Sequence, residues 1–130
     1  MKFTPKEIAS ISQDFEKASP QEIIQWAVDE FCPNIVLSSS FQTQSLPLLD
    51  IVKEVQPEMR IFFLDTGMHF WDTLIFREHL EQIWNLNIVD LRPDEKWRTV
   101  LRHFGSDLPD TDSNLCCYIR KVQPMQKAMQ

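Results

Sequence analysis

The sequence predicts an α/β fold in which helices flank a parallel sheet. Three observations carry that expectation. Short apolar runs alternate with stretches of helical periodicity, each run closes in a polar or glycine-bearing turn, and the first helices open on capping signals. Strands separated by crossover helices pair in parallel with right-handed connections. The 130 residues carry no internal repeat, low-complexity stretch or linker, so residues 1–130 read as a single α/β domain. Their 43% hydrophobic content, with nine Phe and four Trp, is enough for a core.

Each element has its own signal. Thr4 with Glu7 forms a capping box with Pro5 at the first helical position, opening a polar helix to about Ala18; Ser19, Pro20 and Glu22 repeat the device for a helix ending near Phe31. Ile35, Val36 and Leu37 form a short strand closed by Ser38, Ser39 and Ser40. Leu46, Leu48, Leu49, Ile51, Val52 and Val55 then fall at helical spacing, with Pro47 early enough to be tolerated. Ile61, Phe62, Phe63 and Leu64 form a second buried strand that stops at Asp65-Thr66-Gly67. A helix from about Trp71 to Trp84 follows, then a third strand from Asn87 to Leu91 and a helix from Pro93 to about Phe104. Residues 105–113 read as an acidic loop around Pro109, and the last helix contains or follows Cys116-Cys117, with Pro124 kinking or restarting it.

Composition narrows the classes of function. A net charge of −6 opposes a nucleic-acid polymer as partner, because backbone affinity needs a surplus of Lys and Arg on one face. No stretch has the length to span a bilayer. Three cysteines, two of them adjacent, and an N-terminus without an apolar leader-like run favour a reducing, cytoplasmic setting.

In parallel sheets ligands sit at the carboxyl ends of the strands. After the first strand come Ser38, Ser39, Ser40, Phe41, Gln42, Thr43, Gln44 and Ser45, whose hydroxyls, amides and free N–H groups at a helix start can surround a phosphate or sulfate without lysine. The loop has no glycine, and an ordinary serine-rich N-cap region is the alternative. After the second strand, Leu64, Asp65, Thr66 and Gly67 place a carboxylate and a hydroxyl at the strand tip; a plain Asp-Gly-type turn is the alternative there. Cys116 and Cys117 are the strongest chemical signal. Bridging adjacent cysteines strains the peptide and closes no useful loop, so the pair reads as two metal ligands presented from one turn, against two inert buried cysteines on a helix. Arg120 and Lys121 follow it and place positive charge nearby for an anion.

Taken in order, the serine-rich loop 38–45, Leu64-Asp65-Thr66-Gly67 and Cys116-Cys117-Tyr118-Ile119-Arg120-Lys121-Val122-Gln123-Pro124 resemble the sulfonucleotide reductases, the adenylyl-sulfate and phosphoadenylyl-sulfate reductases of sulfate assimilation, from about residue 20 onward. The resemblance implies an adenine-nucleotide alpha-hydrolase-like fold. It implies that residues 38–45 form a modified pyrophosphatase loop for the anionic end of the nucleotide, and that residues 64–67 border the adenosine. Tandem cysteines mark the iron–sulfur branch, similar to the adenylyl-sulfate users, so Cys116 and Cys117 become two of the four ligands of a 4Fe–4S cluster. The implied activity is that of an oxidoreductase of cysteine biosynthesis. A thiolate attacks the sulfur of adenylyl sulfate, giving an enzyme thiosulfonate and AMP, and thioredoxin or glutaredoxin releases sulfite. Arg120 and Lys121 would screen the anionic oxygens.

The family pattern also includes a further strand, an arginine-rich substrate loop, a second cysteine pair and a tail with the nucleophilic cysteine, none of which occurs before Gln130. The chain therefore reads as truncated at its C-terminus, with no catalytic residue of its own, no stable metal expected in the fragment, and an apolar edge that favours homo-oligomers. A phosphoadenylyl-sulfate reductase or ATP pyrophosphatase of the same fold, or a non-catalytic binding fragment, are the other readings.

The remaining residues carry weaker signals. Cys32 reads as a small buried hydrophobe, and His69, His79 and His103 lack zinc-like spacing. Ser40, His69 and Asp65 lack the nucleophile-elbow pattern of a hydrolase. Trp71, Trp84 and Trp97 read as core or helix-packing residues, and Arg92, Arg98 and Arg102 as surface residues spaced along a helix face.

Overall fold

A computed structural model describes residues 2–130. Helices α1 (Pro5–Phe15) and α2 (Pro20–Phe31) open on complete capping boxes: the Thr4 and Ser19 hydroxyls accept from the Glu7 and Glu22 N–H groups, and each glutamate carboxylate accepts from the cap backbone in return. An aromatic cluster joins them, with Phe15 edge-on to Trp26 at 5.0 Å and Phe3 and Phe31 against the same indole.

The sheet is built from β1 (Leu37–Ser38), β2 (Arg60–Leu64) and β3 (Asn87–Leu91), all parallel and in sequence order. Helix α3 (Leu46–Val55) connects the first two strands, and α4 (Trp71–Trp84) connects the second and third. β1 is shorter than the apolar run predicts; Ile35 lies outside it and packs instead against the Val28, Val52 and Met59 cluster that ties α2 to α3. The alternation along β2 sends Ile61 and Phe63 into the main core with Phe41, Leu49, Leu80 and Leu86, and Phe62 to the opposite face.

The C-terminal third is helical almost throughout. Helix α5 (Glu95–Phe104) is capped by the Asp94 carboxylate and ends at Gly105, whose φ of +70° suits a residue without a Cβ. The acidic loop expected at 105–113 is instead a 3₁₀ turn (Gly105–Asp107) followed by α6 (Leu108–Thr111). Pro109 falls in the first turn of α6, where its missing N–H costs nothing, and burial of Leu108 pins the segment down. The Asp112 carboxylate then accepts from Leu115 N–H at 3.0 Å and starts α7 (Ser113–Cys117). α7 runs through a π turn (Tyr118–Val122) into α8 (Gln123–Ala128), with Pro124 tolerated near the start of α8. Leu108, Cys116 and Ile119 form a third buried cluster with Trp97, Val100, Leu101 and Leu115. Among the described residues no helix is long and apolar enough to cross a membrane.

Two packing expectations are corrected. Trp71 is 73% exposed on the first turn of α4, outside the face through which Leu74, Leu80 and Trp84 meet the core. Cys32 is exposed, because the chain leaves α2 there in the extended conformation favoured before Pro33.

Candidate functional site

The chain leaves β1 and β2 at one end of the sheet, and the backbone ladder continues into both exits: Ser39 N–H donates to Phe62 O at 3.1 Å and Asp65 N–H to Leu91 O at 2.9 Å. The loop of residues 38–45 is therefore tied to the sheet at its start. Its far side is anchored by Phe41, which is 1% exposed and packs edge-on to Phe63 at 5.5 Å. Phe41 holds φ at +56°, a conformation a bulky residue adopts at a cost, here offset by burial of the ring.

The hydroxyls of the loop organise it and leave hydrogens free. Ser39 Oγ accepts from Phe41 N–H at 3.1 Å, and Ser40 Oγ accepts from Gln42 N–H at 3.4 Å while sharing one hydrogen with Ser45 Oγ at 3.0 Å. A hydroxyl that accepts in this way still has its O–H to donate. Ser39, and one member of the Ser40–Ser45 pair, can therefore point a donor at an anion.

These side chains border a cavity of about 370 Å³ lined by Ser38, Ser39, Ser40, Gln42, Ser45, Phe62, Phe63, Leu64, Thr66, His69 and Lys121. A second cavity of about 360 Å³ shares Gln42, Thr66, His69 and Lys121 with it and adds Cys116, Cys117 and Arg120. The two form one cleft running from the serine loop to the cysteine pair, with Lys121 on the shared wall. Lys121 makes no ion pair among the described residues, so its charge is available to a ligand.

Not every expected residue faces that cleft. Phe41, Thr43 and Gln44 border a shallower depression beside Asp72, Thr73 and Phe76, and the Phe41 ring belongs to the core. Asp65 and Gly67 shape the strand-end turn: Asp65 Oδ1 accepts from Gly67 N–H at 3.1 Å, and Asp65 Oδ2 pairs with Arg92 Nε at 2.8 Å. Burial opposes ionisation of Asp65, but the Arg92 guanidinium and the Gly67 N–H outweigh it and hold the carboxyl below its usual range. Arg92 lies just beyond β3 and not on a helix face. The parallel register Leu64↔Leu91 makes Asp65 and Arg92 neighbours, a signal present in the sequence once the two strands are aligned. His69, set aside for want of zinc spacing, borders both halves of the cleft. Its ring stacks on Phe63 at 4.9 Å, and Nε2 lies 2.8 Å from Leu64 O. A carbonyl only accepts, so Nε2 carries the hydrogen and Nδ1 is left to face a ligand as an acceptor when the ring is neutral.

Cys116 is buried beside Leu108 and Ile119, Cys117 is exposed, and both border the second cavity. Cys32 borders a separate cavity with Gln56, Arg60 and Asn87, at the opposite end of the strands. Two thiols at one wall supply half the donor set of a four-thiolate cluster, and Cys32 stands too far around the sheet to extend it. Among the described residues no group of three or more His, Cys, Asp or Glu side chains is gathered to hold a metal ion.

This architecture is shared with a solved phosphoadenylyl-sulfate reductase from Candida auris, in a phosphate complex. The two align with a TM-score of 0.85 over 98% of this chain and 63% of that one, at 24% sequence identity, a likeness of fold. The model of the phosphoadenosine phosphosulfate reductase domain matches residues 34–130, and the chain belongs to that family. Among curated relatives, adenosine 5'-phosphosulfate reductases are 31% identical over 123 residues in Bacillus cereus, 31% over 116 in Mycobacteroides abscessus and 32% over 123 in Staphylococcus haemolyticus. These matches take in 94%, 89% and 94% of this chain but 53%, 48% and 51% of those proteins, so the chain spans about half the length of the curated relatives it matches.

Proposed function

We propose that the chain carries the nucleotide-binding portion of an adenylyl-sulfate reductase of assimilatory sulfate reduction, in which adenylyl sulfate is reduced to sulfite and AMP at the expense of thioredoxin or glutaredoxin in the cytoplasm. The observation that carries this reading is the single cleft joining the serine loop to the cysteine pair, with Lys121 on the wall common to both halves. The adenine-nucleotide end would rest on Leu64 and Thr66 at the tip of β2. Ser38, Ser39, Ser40, Gln42 and Ser45 would donate to the phosphate and sulfate oxygens, with Thr43 and Gln44 holding the loop in shape. Sulfur becomes a better electrophile as its oxygens are screened, and an ammonium at Lys121 supplies that screening where negative charge grows on the departing AMP. The nucleophilic thiol is one that this stretch of sequence does not contain.

Cys116 and Cys117 would hold an iron–sulfur cluster, and their place in the cleft next to Lys121 fits that use. When bound, such a cluster supplies a thiolate-ligated, electron-delocalised centre close to the anion. Curated relatives named adenosine 5'-phosphosulfate reductase, together with the tandem cysteines that the family resemblance assigns to the adenylyl-sulfate branch, favour adenylyl sulfate over its 3'-phosphorylated form.

Calorimetric titration of the full-length protein tests the reading. Adenylyl sulfate and AMP bind, phosphoadenylyl sulfate binds less tightly, and ATP transfers no adenylyl group to an acceptor and releases no pyrophosphate. Preference for phosphoadenylyl sulfate, or pyrophosphate release from ATP, would transfer the protein to one of the other branches of this fold.

A further inference from the structure

Arg120 and Lys121 are consecutive cations, and the sequence assigns both to the anion. Their surroundings differ. Lys121 is exposed and unpaired among the described residues, whereas Arg120 is partly buried and Nη1 donates to the Thr66 carbonyl, 54 residues earlier in the chain. Arg120 Nε is buried without a hydrogen-bond partner among the described residues, so the side chain is desolvated for the sake of that one long-range bond. The guanidinium also lies against Gly67, where a Cβ would come within 3.3 Å of Nη1; Gly67 holds φ at +74°. Thr66 itself is 8% exposed and its hydroxyl accepts from Met68 N–H at 3.2 Å, so the carbonyl that Arg120 grips belongs to a turn with little slack.

We propose that Arg120 is a positioning residue: it clamps the Asp65-Thr66-Gly67 turn to the π turn that follows the cysteine pair, and leaves Lys121 alone to meet the ligand's negative charge. The proposal rests on the nucleotide reading of the cleft and divides the labour within it. A clamp on the strand-end turn sets the shape offered to the nucleoside, so its loss weakens neutral and anionic ligands alike. A charge that meets the anion affects anionic ligands alone and fades as salt screens it.

Binding of adenosine and of adenylyl sulfate to the full-length protein separates the two roles. Arg120→Lys, which keeps the charge but loses the planar fork, weakens both ligands by the same factor, about tenfold for a lost charge-assisted hydrogen bond. Lys121→Ala weakens adenylyl sulfate by a similar factor, leaves adenosine unchanged, and flattens the salt dependence. Gly67→Ala, which strains the backbone at a φ of +74° and also presses on the same guanidinium, is less than additive with Arg120→Ala: the double variant loses less than the two single losses combined, because the steric part of the Gly67 effect needs Arg120. Circular dichroism and thermal melts of each variant confirm that it is folded. Selective loss of adenylyl sulfate in Arg120→Lys, or additive effects of Gly67→Ala and Arg120→Ala, would overturn the assignment while sparing the nucleotide reading. Failure of the wild-type protein to bind either ligand would overturn both.

Discussion

Ile119 sits in the π turn between the cysteine pair and Arg120, is 0% exposed, and packs with Leu108 and Cys116 against Trp97, Val100, Leu101 and Leu115. That cluster shares no buried side chain with the main core under the sheet, so it forms a small second core whose task is to seat the cysteine turn. Truncation by Ile119→Ala removes apolar carbon worth about 0.8 kcal/mol per methylene, and incomplete collapse of the cavity raises the total to about 2–5 kcal/mol. Ile119→Val should cost only about 0.5–1.5 kcal/mol. Urea unfolding measures the loss, and amide hydrogen exchange locates it. Exchange should accelerate through residues 113–122 in Ile119→Ala while the amides of β2 (Arg60–Leu64) keep their protection, because the strand is held by Phe41, Leu49 and Leu80 instead. Nucleotide affinity should fall with the loosening of the turn. Equal deprotection of β2 and the cysteine turn would refute the argument, since the two cores would then open as one unit.

Three further outcomes follow from the site. Cys116→Ser or Cys117→Ser should each deplete iron and acid-labile sulfide from the full-length protein purified without oxygen, whereas Cys32→Ser, at the other end of the strands, should leave both unchanged; equal iron in all three would remove the pair as ligands. The carboxyl of Asp65 is held below its usual range in the folded state, so its contribution to stability is complete above the unfolded carboxylate value near ~4 and disappears as pH falls through the lower, folded value. Asp65→Asn should thus be less stable than wild type by about 0.2–1 kcal/mol at pH 7, a modest figure because Arg92 is more than half exposed, and the gap in urea midpoints should close in strong acid. Phe41→Ala should cost about 3–5 kcal/mol and free the serine loop, read as faster proteolysis within residues 38–45.

Local rules made much of this molecule legible in the sequence. Capping boxes at Thr4 and Ser19, the apolar run of β2 and the glycine after it marked elements whose starts match the structure within a residue, because each depends on neighbours a few residues away; α1 nonetheless stops at Phe15, short of the Ala18 its pattern suggests. The serine loop and the cysteine pair stood out in the sequence; parallel topology puts the loop at the carboxyl end of the strands, and the C-terminal helices bring the cysteines to the neighbouring cavity. What the sequence concealed depends on distant partners. Cys32 looked like a buried hydrophobe until its place at the end of α2, before Pro33, turned it outward. The charges and Pro109 of residues 105–113 suggested a loop, but burial of Leu108 and the cap at Asp112 made them helical. Phe41 sits in the middle of a polar loop yet belongs to the core, a reversal decided by Phe63 22 residues later. His69 lacked a sequence motif because its role comes from stacking on a strand residue and bonding to a strand carbonyl.

The π turn at Tyr118–Val122, closed by Gln123 N–H on Tyr118 O, holds one residue more than an α-helical turn would. A helix advances about 100° per residue, so that extra residue works as a phase shifter: it sets the angle between the face that carries Cys116 and Cys117 and the face that carries Lys121. With the surplus deleted, the helix would close smoothly, yet every side chain beyond it would swing by that angle relative to the cysteines, buried Pro124 included. The fold thus keeps a less favourable hydrogen-bond pattern at the spot where two thiols and an ammonium border the same cavity.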